Sequence, residues 1–204
     1  MGATAEDDEL DARVADRAMI RDAVATYLRG VDRLDADLID STYHEDAVDE
    51  RGRGGWAPGS PAVHLLAYLT EHCVSSYHLL GQQHITFPRG AVARCESYVV
   101  AHLVLRPGAD GGPLRMVRRG LRYLDRFEDR GGWRVSRRRL VCDWETEGED
   151  LRGDGATPSH LAARRDTGDP SYVWESDGAL SGGSHPRTPE PAPTRTPRGP
   201  ISDS

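Results

Sequence analysis

Apolar positions in the first part of the chain recur at helical spacing. We expect a helix over Asp7–Gly30, because Ile20, Val24, Tyr27, Leu28 and Val31 form one stripe of positions to be buried. The spacing i, i+4, i+7, i+8, i+11 is typical of an amphipathic helix, and Gly30 is a suitable residue to cap its C-terminal end. We expect a second short helix over Ala36–Tyr43, a short strand over Ala47–Arg51 and a third helix beginning after Ser60.

From Tyr77 onward the pattern becomes typical of β-strands. Four long runs are separated by Pro- and Gly-rich turns; the runs are His78–Phe87, Ala91–Leu105, Leu114–Glu128 and Trp133–Trp144. Three helices followed by a meander of strands predict an α+β fold, in which the helices cover the concave face of a curved antiparallel sheet. Such an arrangement encloses a pocket.

Composition divides the chain into three parts. Most of the 13 Pro lie after Gly148, where apolar residues are scarce, so that segment lacks the apolar surface needed to order itself. We expect a flexible N-terminus over residues 1–14, a domain over 15–147 and a mostly disordered tail over 148–204. The apolar island Tyr172-Val173-Trp174 could pack on the domain or on a neighbour.

Charge and cysteine usage exclude several classes of function. The net charge of −7, with all 26 basic residues being Arg, gives no support to nucleic-acid binding. The three Cys are far apart and form no CxxC pair, which argues against a zinc site or a disulfide framework. No apolar run approaches the length of a membrane span, and the N-terminus has no signal-peptide pattern. We expect a cytoplasmic protein without a metal or membrane partner.

Four side chains are candidates for chemistry. Asp32 follows the apolar stripe at the helix end, where its charge opposes the helix dipole unless a partner compensates it. His78 begins the first long strand, and if even positions face inward, His78, Leu80 and Gln82 share a face. Tyr27 lies on the buried stripe. Each has an ordinary alternative: a solvated Asp, a structural His and a core Tyr.

The fourth candidate, Arg138, lies in the last strand. Period two places Ser136, Arg138, Leu140 and Cys142 on one face, with Trp133 and Val135 on the other. An inward Arg among apolar neighbours is costly without an anionic partner, whereas an outward one would simply be solvated.

Together these positions resemble the SnoaL-like branch of the nuclear-transport-factor-2-like superfamily, which includes scytalone dehydratase, hexachlorocyclohexane dehydrochlorinase and bile-acid dehydratase. The resemblance covers about Asp16 to Trp144. It is carried, in order, by Arg17–Asp22 with Tyr27, Val31-Asp32, Asp46-Ala47, Tyr77-His78, Asp125–Phe127, Gly132–Val135, Arg138 and Asp143-Trp144.

The resemblance implies a cone-shaped α+β barrel that assembles as a homo-dimer or homo-trimer and needs no metal or organic cofactor. It assigns proton transfer to an Asp–His dyad, which matches Asp32 and His78, and supporting roles to Arg138 and Tyr27. The sequence departs from scytalone dehydratase at its second catalytic His, where Ser97 or Tyr98 stands here.

These roles suggest a cofactor-independent dehydratase acting on a small, cyclic or polyketide-like molecule. Asp32 would orient His78, His78 would remove a proton next to a carbonyl, and Arg138 and Tyr27 would stabilise the developing negative charge. The same groups would serve an isomerase or cyclase. A non-catalytic small-molecule-binding module is the competing class.

Overall fold

The computed structural model describes residues 5–51, 61–108, 111–149 and 163–172. Its long helix α1 spans Ala5–Arg33 and therefore begins inside the segment expected to be flexible. The five residues of the predicted stripe are all buried. This face of α1 forms the centre of the core because hydrophobic burial on one stripe is what holds an amphipathic helix to its domain.

The end of α1 differs from the prediction. The helix does not stop at Gly30: Leu34 adopts a positive φ of 55°, and the N–H of Asp35 donates to the carbonyl oxygen of Gly30 at 2.9 Å. That 6→1 bond is the Schellman arrangement, here with Leu in the position that usually favours Gly. Gly30 serves packing instead, because a Cβ there would lie 2.8 Å from Cγ1 of Ile39.

Two shorter helices follow. Helix α2 spans Ala36–Ser41 and is capped by the Asp35 side chain, which accepts from the N–H of Leu38 at 3.1 Å. Helix α3 spans Pro61–His72 and leads directly into a strand. Ser60, the predicted cap of α3, lies outside the described residues.

Within the described residues the sheet has five strands, ordered β1-β5-β4-β3-β2. Their bounds are Tyr43–Glu50 (β1), Cys73–Arg89 (β2), Val92–Leu105 (β3), Arg115–Asp129 (β4) and Trp133–Glu149 (β5). Strands β2 to β5 form the predicted antiparallel meander, but β1 pairs with β5 in parallel. The sheet is therefore mixed. The predicted curved antiparallel sheet is confirmed for β2 to β5. The parallel pairing of β1 was not predicted, because sequence patterning reveals a strand without revealing its partner.

The curved sheet wraps around α1 without closing into a barrel, since β1 and β2 are its two edges. Polar contacts hold the helix across the concave face, two of them from its first half. Arg17 donates to the carbonyl oxygen of Ile85 on β2 at 2.8 Å, and Asp16 accepts from the indole of Trp133 on β5 at 2.7 Å. The result is an α+β cone in which α1 packs against the concave face of the sheet.

Bulges change which residues face inward. The register between β2 and β3 shifts between Leu80 and Gln83, so His78 and Leu80 point inward as predicted while Gln82 is exposed. A second shift occurs in the pairing of β4 with β5, between Arg126 and Phe127 of β4. A bulged strand puts two residues opposite one, which reverses the alternation beyond it.

The second bulge corrects the face assignment for β5. Phe127 pairs with Val135 and Arg126 with Arg137, which leaves Ser136 as the extra residue. Val135 and Arg138 are therefore both buried, although strict alternation would have placed them on opposite faces. Cys142, predicted on the inner face with Arg138, is exposed.

Residues 163–172, inside the tail that we expected to be mostly disordered, pack on the domain. They end in a 3-10 turn over Pro170–Tyr172. Polar contacts, rather than apolar area, hold them: Arg33 of α1 forms an ion pair with Asp169 at 3.1 Å. Packing of Tyr172 on the domain is one of the two possibilities given above for the apolar island. The polar contacts of the other residues could not be predicted from composition, which indicates only how much apolar surface can be buried.

Candidate active site

Asp32 and His78 form a hydrogen-bonded pair. The last turn of α1 presents Asp32, and the inward-facing part of β2 presents His78. Oδ1 of Asp32 lies 2.7 Å from Nδ1 of His78, and Oδ2 accepts from the backbone N–H of His78 at 2.9 Å. With both carboxylate oxygens held by one residue, the imidazole is fixed in position and its Nε2 is the ring nitrogen left for other chemistry.

The pair is largely withdrawn from solvent, with side-chain exposures of 12% for Asp32 and 7% for His78. His78 borders a cavity of about 280 Å³ between α1, α3 and the sheet. Much of the wall is apolar and includes Val31, Leu65, Leu69, Leu103, Leu121 and Leu140. The cavity therefore combines a low-polarity wall with one oriented imidazole, the combination expected of a small-molecule site.

Tyr27 and Arg51 form a second polar group on the cavity wall. The guanidinium of Arg51 donates a short hydrogen bond to the hydroxyl oxygen of Tyr27. Because that oxygen already accepts a hydrogen bond from Arg51, the hydroxyl can donate its own hydrogen to a different acceptor, such as a ligand in the cavity.

Asp49 holds Arg51 in place. Its two carboxylate oxygens accept from Nε and Nη2 of Arg51, each at 2.9 Å, and one of them also accepts from the hydroxyl of Tyr43 at 2.9 Å. Burial opposes the charge on Arg51, but Tyr27 and Asp49 outweigh burial and raise its pKa. Arg51 is thus a fixed cation at the cavity wall.

Arg138 is placed differently from what its predicted role requires. Its side chain is 0% exposed, and it lies behind the cavity wall rather than on it. Nε and Nη2 donate to the two oxygens of Asp125, both at 2.7 Å. The anionic partner that an inward Arg needs is therefore a residue of this chain, and Arg138 does not reach the cavity.

Three tyrosine rings surround the Arg138 guanidinium. Its carbon lies 4.1 Å from the ring centre of Tyr27, 4.6 Å from that of Tyr123 and 5.3 Å from that of Tyr43. Stacking of this kind is favourable for a desolvated guanidinium. Arg138 therefore supports Tyr27 from behind.

Burial raises the pKa of the Asp125 carboxyl group, while the charge of Arg138 beside it counteracts the rise. Burial also raises the pKa of Tyr123 above its ordinary value, so its phenol keeps its proton. We therefore regard Tyr123 as a packing residue.

The residues standing at the second-histidine position of scytalone dehydratase are separated by the pleat. Ser97 is buried and accepts from the side chain of Gln83 at 3.1 Å. Tyr98 is exposed on the outer face of the sheet. Neither borders the cavity, and His78 is the only His among the described residues that does.

Sequence reasoning did not single out Arg51 or Asp125. A signal for Arg51 existed, because the predicted strand Ala47–Arg51 places Ala47, Asp49 and Arg51 on one face. Asp125 was noted only as part of a family motif. Its role depends on the partner strand, since Asp125 pairs with Arg138 across β4 and β5.

The described residues contain no cluster of three or more His, Cys, Asp or Glu side chains suited to a metal ion. No helix among them is long and apolar enough to cross a membrane.

Comparisons with known proteins agree on a family. The SnoaL-like domain family matches residues 12–139, more than half of the 204 residues. No curated protein matches the chain.

Solved structures agree on the fold. A hexachlorocyclohexane dehydrochlorinase of type 2 is 22% identical, covers 75% of this chain and 99% of its own, and has a TM-score of 0.61. The type 3 enzyme from Novosphingobium barchaimii is also 22% identical, with 74% and 99% covered and a TM-score of 0.61. A protein provisionally named scytalone dehydratase, from Novosphingobium aromaticivorans, is 18% identical, with 78% and 97% covered and a TM-score of 0.58.

At these identities the structures establish the fold and leave the chemistry to the site itself. The family match, the α+β cone and the neighbouring structures lead to one conclusion: this chain belongs to the SnoaL-like domain family and has the nuclear-transport-factor-2-like fold.

Proposed function

We propose that this protein is a cofactor-independent lyase that removes water from a small organic molecule by acid–base catalysis. The observation that carries the proposal is the 2.7 Å contact between Asp32 and His78 at the wall of an apolar cavity. A positioned His is the commonest general base in proteins, and a carboxylate on one ring nitrogen stabilises the imidazolium that forms when the other takes a proton.

The first half of the reaction is proton removal. Nε2 of His78 takes a proton from a carbon next to a carbonyl group, and the electron pair of that C–H bond moves toward the carbonyl oxygen to give an enolate. Arg51, as a fixed cation on the wall, stabilises the oxygen as its negative charge grows. Asp32 stays ionised and balances the imidazolium.

The second half is loss of the leaving group. The enolate collapses, the neighbouring C–O bond breaks, and the departing hydroxide takes a proton from Tyr27 or from the imidazolium of His78. The products are water and a conjugated double bond. When Tyr27 gives the proton, His78 returns it, so the site ends in its starting state and no oxidant or reductant is needed.

Arg138 has a different role in this proposal from the one predicted. Because the side chain is enclosed and paired with Asp125, it does not touch a substrate. It is a positioning residue, which holds the Tyr27 ring at the cavity wall through the 4.1 Å stacking contact.

The cavity indicates the class of substrate. Its volume of about 280 Å³ is at the small end of ligand sites, which span about 300–1,000 Å³. An apolar wall with cationic and phenolic groups at one place suits a compact, mostly apolar β-hydroxy carbonyl compound, cyclic or polyketide-like.

The test is turnover of a panel of cyclic and acyclic β-hydroxy ketones, measured by the ultraviolet absorbance of the conjugated product. We expect His78→Ala and Asp32→Asn each to lower kcat by about 10²–10⁴-fold with an unchanged circular dichroism spectrum. His84→Ala is the matched control, since His84 lies on the same strand but is exposed. Equal turnover in His78→Ala and wild type would contradict the proposal, and shifted double bonds without water loss would assign an isomerase.

A further inference from the structure

A segment of the C-terminal tail lies against the elements that carry the Asp32–His78 pair. We call residues 163–172 the C-terminal strap. It lies beyond the part of the chain that matches the family, which ends at residue 139. The family resemblance therefore assigns it no role.

The strap is bound to the last turns of α1 on both sides of Asp32. Arg29 donates to the hydroxyl of Ser171 at 3.0 Å, and Arg33 pairs with Asp169 at 3.1 Å. Asp169 is buried and organises the strap from within, because it also accepts from the N–H groups of Arg164 and Ser171.

A further contact holds the end of the strap beyond α1. The hydroxyl of Tyr172 donates to Asp35, the cap of α2, at 2.6 Å. Arg29 also stacks on the Tyr172 ring, 4.6 Å from its centre. The residues before and after Asp32 in the sequence are thus both tied to the same strap.

Arg165 connects the strap to the strand that carries His78. Its Nη1 donates to the carbonyl oxygen of Cys73, the first residue of β2, at 2.9 Å, and lies 3.4 Å from that of Leu69 in the last turn of α3. Its other two nitrogens, Nε and Nη2, are buried and have no hydrogen-bond partner among the described residues. Burial lowers the pKa of Arg165, while the charges of Cys73 and Asp32 counteract the decrease.

The placement matters because Asp32 lies in the last turn of a helix. Terminal turns fray readily, and a carboxylate there opposes the helix dipole. A cation bound behind Asp32 offsets both effects. Arg29, Arg33 and Arg165 supply this positive charge. Arg165 also binds the last turn of α3 and the first residue of β2.

We propose that Arg165 is a positioning residue. Through Arg165 the C-terminal strap holds the start of β2 next to the C-terminal end of α1, so that Asp32 and His78 stay in contact. The catalytic consequence rests on the proposed function, but the structural one does not. Loss of Arg165 should loosen the pair without removing any group from the cavity.

The test compares Arg165→Gln with Arg164→Gln in the full-length protein. Arg164 is its neighbour in the strap, but its side chain pairs only with the exposed Asp166 among the described residues. The first readout is the proton NMR resonance of the His78 Nδ1–H group, assigned by its absence from His78→Ala. Bonded to Asp32, this proton exchanges slowly with water, and we expect Arg165→Gln to speed its exchange at least about tenfold while Arg164→Gln matches wild type.

The second readout is turnover of the β-hydroxy ketone panel. We expect Arg165→Gln to lower kcat about tenfold or more with little change in KM, because misalignment of a base affects the transition state more than binding. Arg165→Lys, which keeps the charge and one donor, should recover part of the loss. Slow Nδ1–H exchange in Arg165→Gln, equal to that in Arg164→Gln, would overturn the inference.

Two further outcomes are distinguishable. If the panel shows no turnover with wild type but Arg165→Gln still speeds the exchange at His78, the strap inference holds and the proposed function fails. If Arg165→Gln does not fold, Arg33→Gln releases the strap from its other end and should speed the same exchange. An unchanged resonance in Arg33→Gln, with the strap shown to be released, would then overturn the inference.

Discussion

Arg138 and Asp125 form a buried ion pair in which each charge depends on the other. Each side chain is fully enclosed, and Nε and Nη2 of Arg138 donate to the two carboxylate oxygens of Asp125. Removing one partner leaves the other charge buried and unpaired, which typically costs about 3–5 kcal/mol.

We therefore expect Arg138→Met to lower the free energy of unfolding by about 3–5 kcal/mol, measured by urea denaturation. Arg137→Met is the matched control, because Arg137 is the exposed neighbour that pairs with Glu50 and a surface pair contributes at most about 1 kcal/mol. Adding Asp125→Leu to Arg138→Met should recover part of the loss. Equal stability of the two single variants would show that the buried pair contributes no more to stability than a surface pair.

Tyr27 carries the second residue-scale prediction. Tyr27→Phe keeps the ring over Arg138 but removes the hydroxyl that Arg51 contacts and that is proposed to donate a proton. We expect kcat on the β-hydroxy ketone panel to decrease about 10²-fold, at the lower end of the range for a positioned acid, with small effects on folding. Tyr98→Phe, on the exposed outer face, should match wild type. A fully active Tyr27→Phe would assign the acid role to His78 alone.

At the scale of elements, the close contact between α1 and α2 at Gly30 sets the path of the chain after Asp32. In Gly30→Ala the new methyl group would clash with Ile39, 2.8 Å away. Such overpacking costs about 1–3 kcal/mol, and the better helix propensity of Ala returns about 1 kcal/mol. We expect a net loss in urea denaturation. Gly148→Ala meets no atom within 4 Å and should change stability by less than about 0.5 kcal/mol.

The strap has its own pH dependence. Burial disfavours the charge of Asp169, but hydrogen bonds from Ser171 and from the N–H of Arg164, with the Arg33 charge, outweigh it and lower its pKa to about 2. An unfolded Asp has a pKa of about 3.9. The folded value is the lower one, so the contribution of Asp169 to stability is complete above about pH 4 and is lost as the pH decreases toward about 2.

Ser171→Ala removes the largest of these stabilising bonds, and we expect it to raise the pKa of Asp169, measured by carbon-13 NMR titration of the carboxyl group. Thr167→Ala, at an exposed strap position, is the control and should leave that pKa near 2. An unchanged value in Ser171→Ala would mean that Asp169 is not held as described.

At the scale of the whole molecule, the three thiols report on the integrity of the core. Cys142 is exposed, whereas Cys73 and Cys95 are buried, and burial raises the pKa of both buried thiols, that of Cys95 to about 11. Since the thiolate is the reactive form, we expect a thiol reagent to modify one Cys in the native protein and three in denaturant. Rapid modification of all three without denaturant would contradict the packing described here.

The features of the fold that can be predicted from the sequence are those that follow from the local spacing of apolar residues. The stripe from Ile20 to Val31 and the meander of strands follow from spacing, and they are confirmed by burial and pairing. The parallel pairing of β1 and the bulge at Ser136 depend on contacts between distant segments, which periodicity does not encode. The same limit applied to the strap, whose order comes from ion pairs rather than apolar residues.

The candidate site divides in the same way. Asp32 and His78 were identified through their joint position in a recognisable domain, and their contact is observed at 2.7 Å. The inward orientation of Arg138 is one of the two that the sequence left open, and its neighbour Asp125 across the sheet balances its charge. Arg51 takes the place at the cavity wall because the β1 edge, paired in parallel with β5, carries it there.

The proposed reaction depends on one step, in which His78, held by Asp32, removes a proton from a ligand in the cavity. The most direct measurement is deuterium incorporation next to the carbonyl of the β-hydroxy ketone panel in heavy water, followed by NMR, since it detects proton removal whether or not water is then lost. We predict incorporation into at least one compound with wild type and with His84→Ala, and a loss of about 10²-fold or more with His78→Ala and Asp32→Asn. Incorporation at the wild-type rate in His78→Ala would contradict the account.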